Sequence, residues 1–222
     1  MRHATVPAQP KIYHIVHVDR LPSIIQSDGL WCDAEIAKYS GLGTSIGMSN
    51  IKARRLNELT LNSHPGLHVG ECVPFYFCPR SIMLYLIHKN NHPEFTYHGG
   101  EGPIIHLVFD LQAAVTRAEA KNRRWAFTLS NAGSYHFEDR CDLAQLNEVN
   151  WDAVQVNRWS GAGISPMVKE GKQAEYLVET RFPWGLVDRI GVSNNATYHQ
   201  VVHALAVSIH KPQLEIRNEW YY

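Results

Sequence analysis

An α+β fold with a mostly antiparallel sheet is what this 222-residue sequence predicts. Three observations carry that reading. Segments of strand and helix character mix without the strict strand–helix–strand alternation of a doubly wound sheet. Hydrophobic residues make up 45% and charged residues 19%, a globular composition rather than a disordered one. The length suits one substantial core, so residues 1–222 are expected to form a single domain.

The elements follow in chain order. Ile12 to Val18 alternates apolar and polar residues, the period-two signature of a strand. Asp19 is expected to cap a short helix through Leu21, Ile24 and Ile25, closed by Gly29. Residues 40–48 form a loop whose glycines, 41, 43 and 47, nearly spell a dinucleotide-binding fingerprint. The spacing is one residue too long and no βαβ unit follows, so the match is discounted. Residues 49–61 read as helix and Val73 to Phe77 as a compact aromatic strand. Pro79 and Ser81 open a helix through Met83, Leu84 and Leu86. Pro103 to Phe109 is a buried strand, and Asp110 caps a helix over 111–121. Trp125 to Ser130 reads as strand, 141–149 as helix, and Trp151 to Val156 as extended. Residues 157–172, with three glycines and a proline, are expected to form a long loop. Ala174 to Glu179 and Arg189 to Ser193 read as strands, 196–210 as an amphipathic helix, and Gln213 onward as a last strand.

Lys+Arg and Asp+Glu both number 21, so no global charge draws the chain to nucleic acid. Any such binding must rest on local patches, such as Lys52/Arg54/Arg55 and Lys121/Arg123/Arg124, and on stacking. Cys32, Cys72, Cys78 and Cys141 show no framework spacing and are expected to be reduced thiols of a cytoplasmic protein. Met1 to Pro10 is polar, without signal-peptide character, and no apolar run approaches the roughly 20 residues of a membrane helix. Among 13 histidines, the pairs His64/His68 and His88/His92 lack further ligands, so no metal is expected.

Four segments carry candidate chemistry: Tyr13-His14, Lys52-Ala53-Arg54-Arg55, Val73 through Ser81 (VPFYFCPRS), and Lys172 through Val178 (KQAEYLV). Singly, each has a plain structural explanation. A strand histidine satisfies a hydrogen bond, Phe-Tyr-Phe fills a core, and a glutamate at a strand start is an edge charge. Together and in this order they resemble the DarT toxins, the DNA ADP-ribosyltransferases of DarT–DarG toxin–antitoxin systems. The likeness runs from Ile12-Tyr13-His14 to the terminal Trp220-Tyr221-Tyr222, nearly the whole chain.

The resemblance implies an ADP-ribosyltransferase fold, with two small, mostly antiparallel sheets around an NAD⁺ cleft and flanking helices. NAD⁺ would be the co-substrate. His14 matches the motif histidine that holds the adenosine-side ribose, with Tyr13 and Arg55 as further NAD⁺ contacts. Tyr76 occupies the strand where an aromatic packs near the nicotinamide. Glu175 matches the catalytic glutamate, and Arg55 an arginine that joins it. The loop 157–172 should face single-stranded DNA, with Trp159 as a stacking residue and Arg158, Lys172 and Arg54 as further DNA contacts. The implied reaction moves ADP-ribose onto a thymine base of single-stranded DNA, with sequence preference, and releases nicotinamide. Guanine in DNA, RNA and protein are the alternative acceptors. A DarG-like macrodomain antitoxin is the implied partner, with a role in toxin–antitoxin systems and phage defence; no membrane partner is implied.

The chemistry explains the residue types. Breaking the nicotinamide–ribose bond builds positive charge at the ribose C1′, which a carboxylate can offset and a neutral amide cannot. Gln173 stands where an arginine-modifying relative would want a second carboxylate, so such an acceptor is disfavoured. A non-catalytic binding module would not need Glu175, Arg55 and His14 together.

Overall fold

The computed structural model describes residues 5–222. Residues 1–4, part of the polar segment expected to lack a signal peptide, lie outside the described residues. Strand β1 (Lys11–His17) is buried on both faces: Ile12 and Val16 enter the main core, and Ile15 a second cluster behind it. A 3₁₀ turn leads into helix α1 (Leu21–Gln26). Asp19 does not cap that helix. Its carboxylate accepts from the backbone N–H and hydroxyl of Thr44, at 3.0 and 2.6 Å, and so ties down the 40–48 loop. The helix starts instead from Arg20 with a proline in its first turn, where the missing N–H is no loss. Gly29 opens strand β2 (Gly29–Trp31) rather than closing the helix. At φ +148 its Cβ would lie 2.1 Å from the Phe182 carbonyl oxygen, so only glycine fits.

Helix α2 (Asp33–Ile36) was not foreseen, and helix α3 (Ser49–Asn57) ends short of residue 61, because Leu59 and Leu61 turn into a separate core cluster. Strand β3 (Cys72–Tyr76) and helix α4 (Ile82–Lys89) fall as predicted, with Ser81 capping by accepting from the Leu84 N–H. Strand β4 (Ile104–Asp110) runs into helix α5 (Leu111–Glu119), capped by Asp110 as expected. Strands β5 (Trp125–Thr128) and β6 (Asp139–Arg140) precede a 3₁₀ helix over Leu143–Glu148.

Two corrections follow. Trp151–Gln155 is helix α6, not an extended segment, with Asn150 accepting from the Ala153 N–H as its cap. The 157–172 segment is not all loop, since it contains helix α7 (Pro166–Gly171), capped by Ser165. Strands β7 (Glu175–Glu179), β8 (Arg181–Pro183) and β9 (Arg189–Val192), helix α8 (Asn195–Leu205) and strand β10 (Gln213–Ile216) complete the order.

The large sheet runs β10-β9-β4-β1-β3-β7-β5-β6, antiparallel except for β10 against β9, and β2 pairs with β8 in a separate ribbon. Its two halves meet at one residue pair, Tyr13 opposite Tyr76. By contrast β1 registers against β4 from Lys11 to His17, and β3 against β7 along all of Cys72–Tyr76. Pro74 explains the split. It has no N–H to give β1, and its carbonyl is taken by the His14 imidazole at 2.7 Å instead of by backbone. The sheet therefore opens beside His14, which produces the two half-sheets and the cleft between them.

Candidate active site

A cavity of about 500 Å³ fills that opening. Its walls come from α1, β2, the 42–48 loop, one face of α3, Pro74 and Tyr76 of β3, and Glu175 at the head of β7. Glu175 is 2% exposed. Its N–H donates to the Thr128 hydroxyl at 3.0 Å, which fixes the start of the strand. Both carboxylate oxygens accept from Arg55, Nη1 to Oε1 at 3.1 Å and Nη2 to Oε2 at 3.0 Å. This is a bidentate fork, the geometry in which a guanidinium orients a carboxylate most strongly. Burial alone would lower the Arg55 pKa, but the Glu175 charge and hydrogen bonds outweigh it and raise it. Tyr76 stands opposite Glu175 across β3 and β7. Burial, then the Glu175 charge, pushes its phenol upward, so it remains a protonated donor.

His14 points into the same cleft. A carbonyl oxygen can only accept, so the bond to Pro74 places the ring proton on Nδ1 and leaves Nε2 free to accept from a hydroxyl. Burial lowers its pKa to about 4, against the smaller opposing effect of the Pro74 bond, so it is neutral at ordinary pH. His106, buried between the Pro79 carbonyl and the Tyr221 hydroxyl, is likewise lowered to about 4, with burial the main cause. Both depressed values make the fold acid-sensitive. Below the ordinary value of 6.5 the unfolded chain takes up protons that the folded one refuses, so stability present above about pH 6.5 is lost as pH falls through about 4. Urea titrations between pH 7.5 and 4.5 should show that fall, up to roughly 3 kcal/mol per histidine at full effect. A pH-independent midpoint across that window would contradict it.

Of the other sequence-predicted residues, several lie elsewhere. Tyr13 alternates to the opposite face from His14 and packs edge-on against Trp220 at 5.6 Å, so its side chain does not line the cleft. Lys172 is 2% exposed and does not face DNA. Its ammonium donates to the Val154 and Val156 carbonyls at 2.7 and 2.9 Å and closes the C-terminal end of α6. Trp159 is no open stacking platform, being 4% exposed, with its indole N–H on the Tyr222 hydroxyl at 2.6 Å and its ring against Tyr85. Arg54 leaves the cleft to Arg55 and lies over the Tyr135 ring, 5.1 Å from its centre. Arg158 is exposed.

The structure also adds cleft residues that sequence reasoning missed: Arg20, Trp31, Asp33, Thr44 and, as a site residue, Lys52. Lys52 pairs with Asp33 at 2.7 Å. One signal was available, since Lys52 and Arg55 are three apart and share a helix face, which Arg54 does not. Arg20 has no carboxylate partner among the described residues, and its Nε and the Trp31 Nε1 are buried donors without a partner. An elongated ligand with an anionic middle would satisfy them, and the volume suits a small-molecule site. These groups fit NAD⁺.

Among the described residues no group of three or more His, Cys, Asp or Glu side chains is placed to hold a metal. His64 instead bonds the Trp125 carbonyl and His88 pairs with Glu101. No helix among them is long and apolar enough to cross a membrane.

Comparison with known proteins agrees with this geometry. A family model described as "ssDNA thymidine ADP-ribosyltransferase, DarT" matches residues 13–222. The DNA ADP-ribosyl transferase of Thermus sp. strain 2.9 is 33% identical over 220 residues, covering 98% of this chain and 99% of that protein. Its counterpart from Thermus aquaticus is 34% identical over 218 residues, covering 97% and 90%. The structure of Thermus sp. 2.9 DarT in complex with ADP-ribosylated ssDNA superposes with a TM-score of 0.87, at 32% identity and 100% coverage of both chains. The same protein in complex with NAD⁺ gives 0.81 at 31% identity, covering 98% of this chain and 100% of that one. A split sheet opened at Pro74, an Arg–Glu fork in the opening and full-length agreement with these proteins lead to one conclusion: the chain belongs to the DarT family and is an NAD-dependent DNA ADP-ribosyltransferase.

Proposed function

We propose that residues 1–222 act as one ADP-ribosyltransferase domain that modifies a ring nitrogen of thymine in single-stranded DNA, with Glu175 as the catalytic carboxylate. The observation that carries this reading is the buried Arg55–Glu175 fork at the cleft mouth of β7. NAD⁺ supplies the ADP-ribose, and its nicotinamide leaves with the bonding electron pair. Glu175 stabilises the positive charge then exposed at C1′. Arg55 holds that carboxylate in place. His14 accepts at Nε2 from a ribose hydroxyl, and Arg20 lies free for the pyrophosphate. The acceptor nitrogen must lose its proton as the new bond forms, and Glu175 is the lining carboxylate without a lysine partner that can take it.

Gln173 supports a nucleobase acceptor. Its amide is engaged at both ends, accepting from Asn131 and donating to the Lys169 carbonyl, and offers no charge to steer an arginine. A ring nitrogen held in a base pair is out of reach until its base leaves the stack, which favours a single strand. Thermus sp. 2.9 DarT has been seen with ADP-ribosylated ssDNA, which supports the same acceptor here. Labelled NAD⁺ incubated with separate DNA, RNA and protein pools, followed by nucleoside mass spectrometry, tests the reading. A guanosine-only adduct overturns thymine, and transfer to RNA or protein alone overturns DNA. In cells we place the enzyme in the cytoplasm as the toxin of a toxin–antitoxin pair in phage defence, held in check by a DarG-like macrodomain protein.

The stacking role moves from Trp159 to Tyr135. Tyr135 is 62% exposed, is fixed by its hydroxyl donating to Glu58 at 2.9 Å, and sits over Arg54, the neighbour of Arg55. Base stacking on an aromatic is worth about 1–3 kcal/mol. Tyr135→Ala should therefore weaken binding of a labelled oligothymidine by about tenfold. Trp159→Phe should lower the melting temperature and leave DNA affinity nearly unchanged. Anisotropy and thermal melts check both, and unchanged DNA affinity in Tyr135→Ala would sink the assignment.

A further inference from the structure

We infer that a second cavity, walled in part by β8 and sharing no lining residue with the NAD⁺ cleft, is a binding site for a phosphate group. The cavity holds about 200 Å³, less than half the cleft's volume. Its walls are α5 and the turn after it, the α1–β2 turn, Val178 of β7 and the β8 strand. Four cations line it, Arg117, Lys121, Arg123 and Arg181, against a single carboxylate, Asp28.

That carboxylate does little to neutralise them. It is 3.5 Å from Arg181 and largely exposed. Arg117 and Lys121 have no ion-pair partner among the described residues. Arg123 spends Nη1 on two backbone carbonyls, of Glu179 and Arg181, at 3.1 Å each, which fixes its guanidinium without offsetting its charge. Glu179 is committed to Arg124 at 2.6 Å. Burial, then the like charges of Arg181 and Arg117, lower the Arg123 pKa, with Glu179 opposing. Cations at the C-terminal end of a helix complement its dipole, which accounts for Arg117 and Lys121. It does not account for Arg123 and Arg181, which come from outside the helix and converge on the same concavity. Guanidinium forks gathered around a small hollow recognise phosphate oxygens, in geometry and in charge.

The phosphate could belong to the backbone of a DNA strand or be free in solution, and one experiment separates these sources. Inorganic pyrophosphate is titrated calorimetrically, at constant ionic strength, into the wild type, an Arg20→Gln variant, an Arg117→Gln/Lys121→Gln double variant and the combination of all three substitutions. Arg20→Gln removes the phosphate-binding cation of the NAD⁺ cleft. Arg117 and Lys121 are exposed and make no side-chain hydrogen bond among the described residues, so their loss should leave folding intact. Saturable binding should persist in Arg20→Gln and weaken at least about tenfold when the double substitution is added to Arg20→Gln. No saturable binding in Arg20→Gln, or equal affinity with and without the double substitution in the Arg20→Gln background, overturns the site. A labelled oligothymidine is then competed against pyrophosphate. Competition that the double variant abolishes assigns the phosphate to DNA, and its absence assigns a free anion. Either result supports the site, and neither depends on which base the enzyme modifies.

Discussion

Replacing Glu175 by Gln should cut ADP-ribose transfer by about a hundredfold or more, the scale on which one aligned electrostatic group acts on a charged transition state. The substitution keeps the shape of the side chain and one acceptor oxygen. It removes the negative charge that faces C1′ and the base that could take the acceptor's proton. The Thr128 bond to the residue 175 backbone is independent of the side chain, so the head of β7 should stay in place. NAD⁺ affinity should change far less than turnover, because Arg20, Trp31 and His14 remain. Transfer from labelled NAD⁺ to an oligothymidine, with circular dichroism to confirm the fold, measures this. A folded Glu175→Gln enzyme with near-normal transfer would remove Glu175 from the chemistry. In bacteria, expression of the wild type should arrest growth and Glu175→Ala should not. Equal growth would count against the toxin reading.

What the sequence made legible is local. The strand alternation around His14, the caps at Ser81 and Asp110, and the strand led by Glu175 can be read from neighbours in the chain. The misread segments turned on distant partners. Trp159, in a glycine-bearing stretch, looks free to stack until the chain brings Tyr222 back against it from 63 residues away. Lys172 looks like a surface charge beside the catalytic motif, but its ammonium closes a helix. That helix was itself misread, because Trp151-Asp152-Ala153-Val154-Gln155-Val156 fits a strand's alternation nearly as well as a helical face. Arg20 and Trp31 lie on elements too short to show a period, and only the fold brings them into one cavity with Glu175. The cleft itself is half legible. A proline within an aromatic strand hints at a broken ladder, yet the break becomes a site only because His14 lies across from it.

Arg55→Ala should come next in severity, and its neighbour supplies the control. Among the described residues the arginine's only carboxylate partner is Glu175, which is itself 2% exposed. Removing one member of so buried a pair strands the other charge, at a cost of about 3–5 kcal/mol in comparable cases. Part of that cost should appear as a lower melting temperature. The rest should appear as a carboxylate no longer held in place, so that kcat falls more steeply than KM for NAD⁺ rises. Arg55→Lys should recover only part of the rate, because an ammonium keeps the charge but cannot fork across both oxygens. Free guanidinium added to Arg55→Ala should restore more turnover than an alkylammonium does, a response that loss of general positive charge would not give. Arg54→Ala removes a cation–π contact with Tyr135, a change on the order of 1 kcal/mol, and leaves the fork untouched. Its transfer rate at saturating DNA should therefore stay close to wild type. Equal losses from the two arginines would mean that α3 contributes only positive charge to the cleft, and the fork would then have no catalytic role.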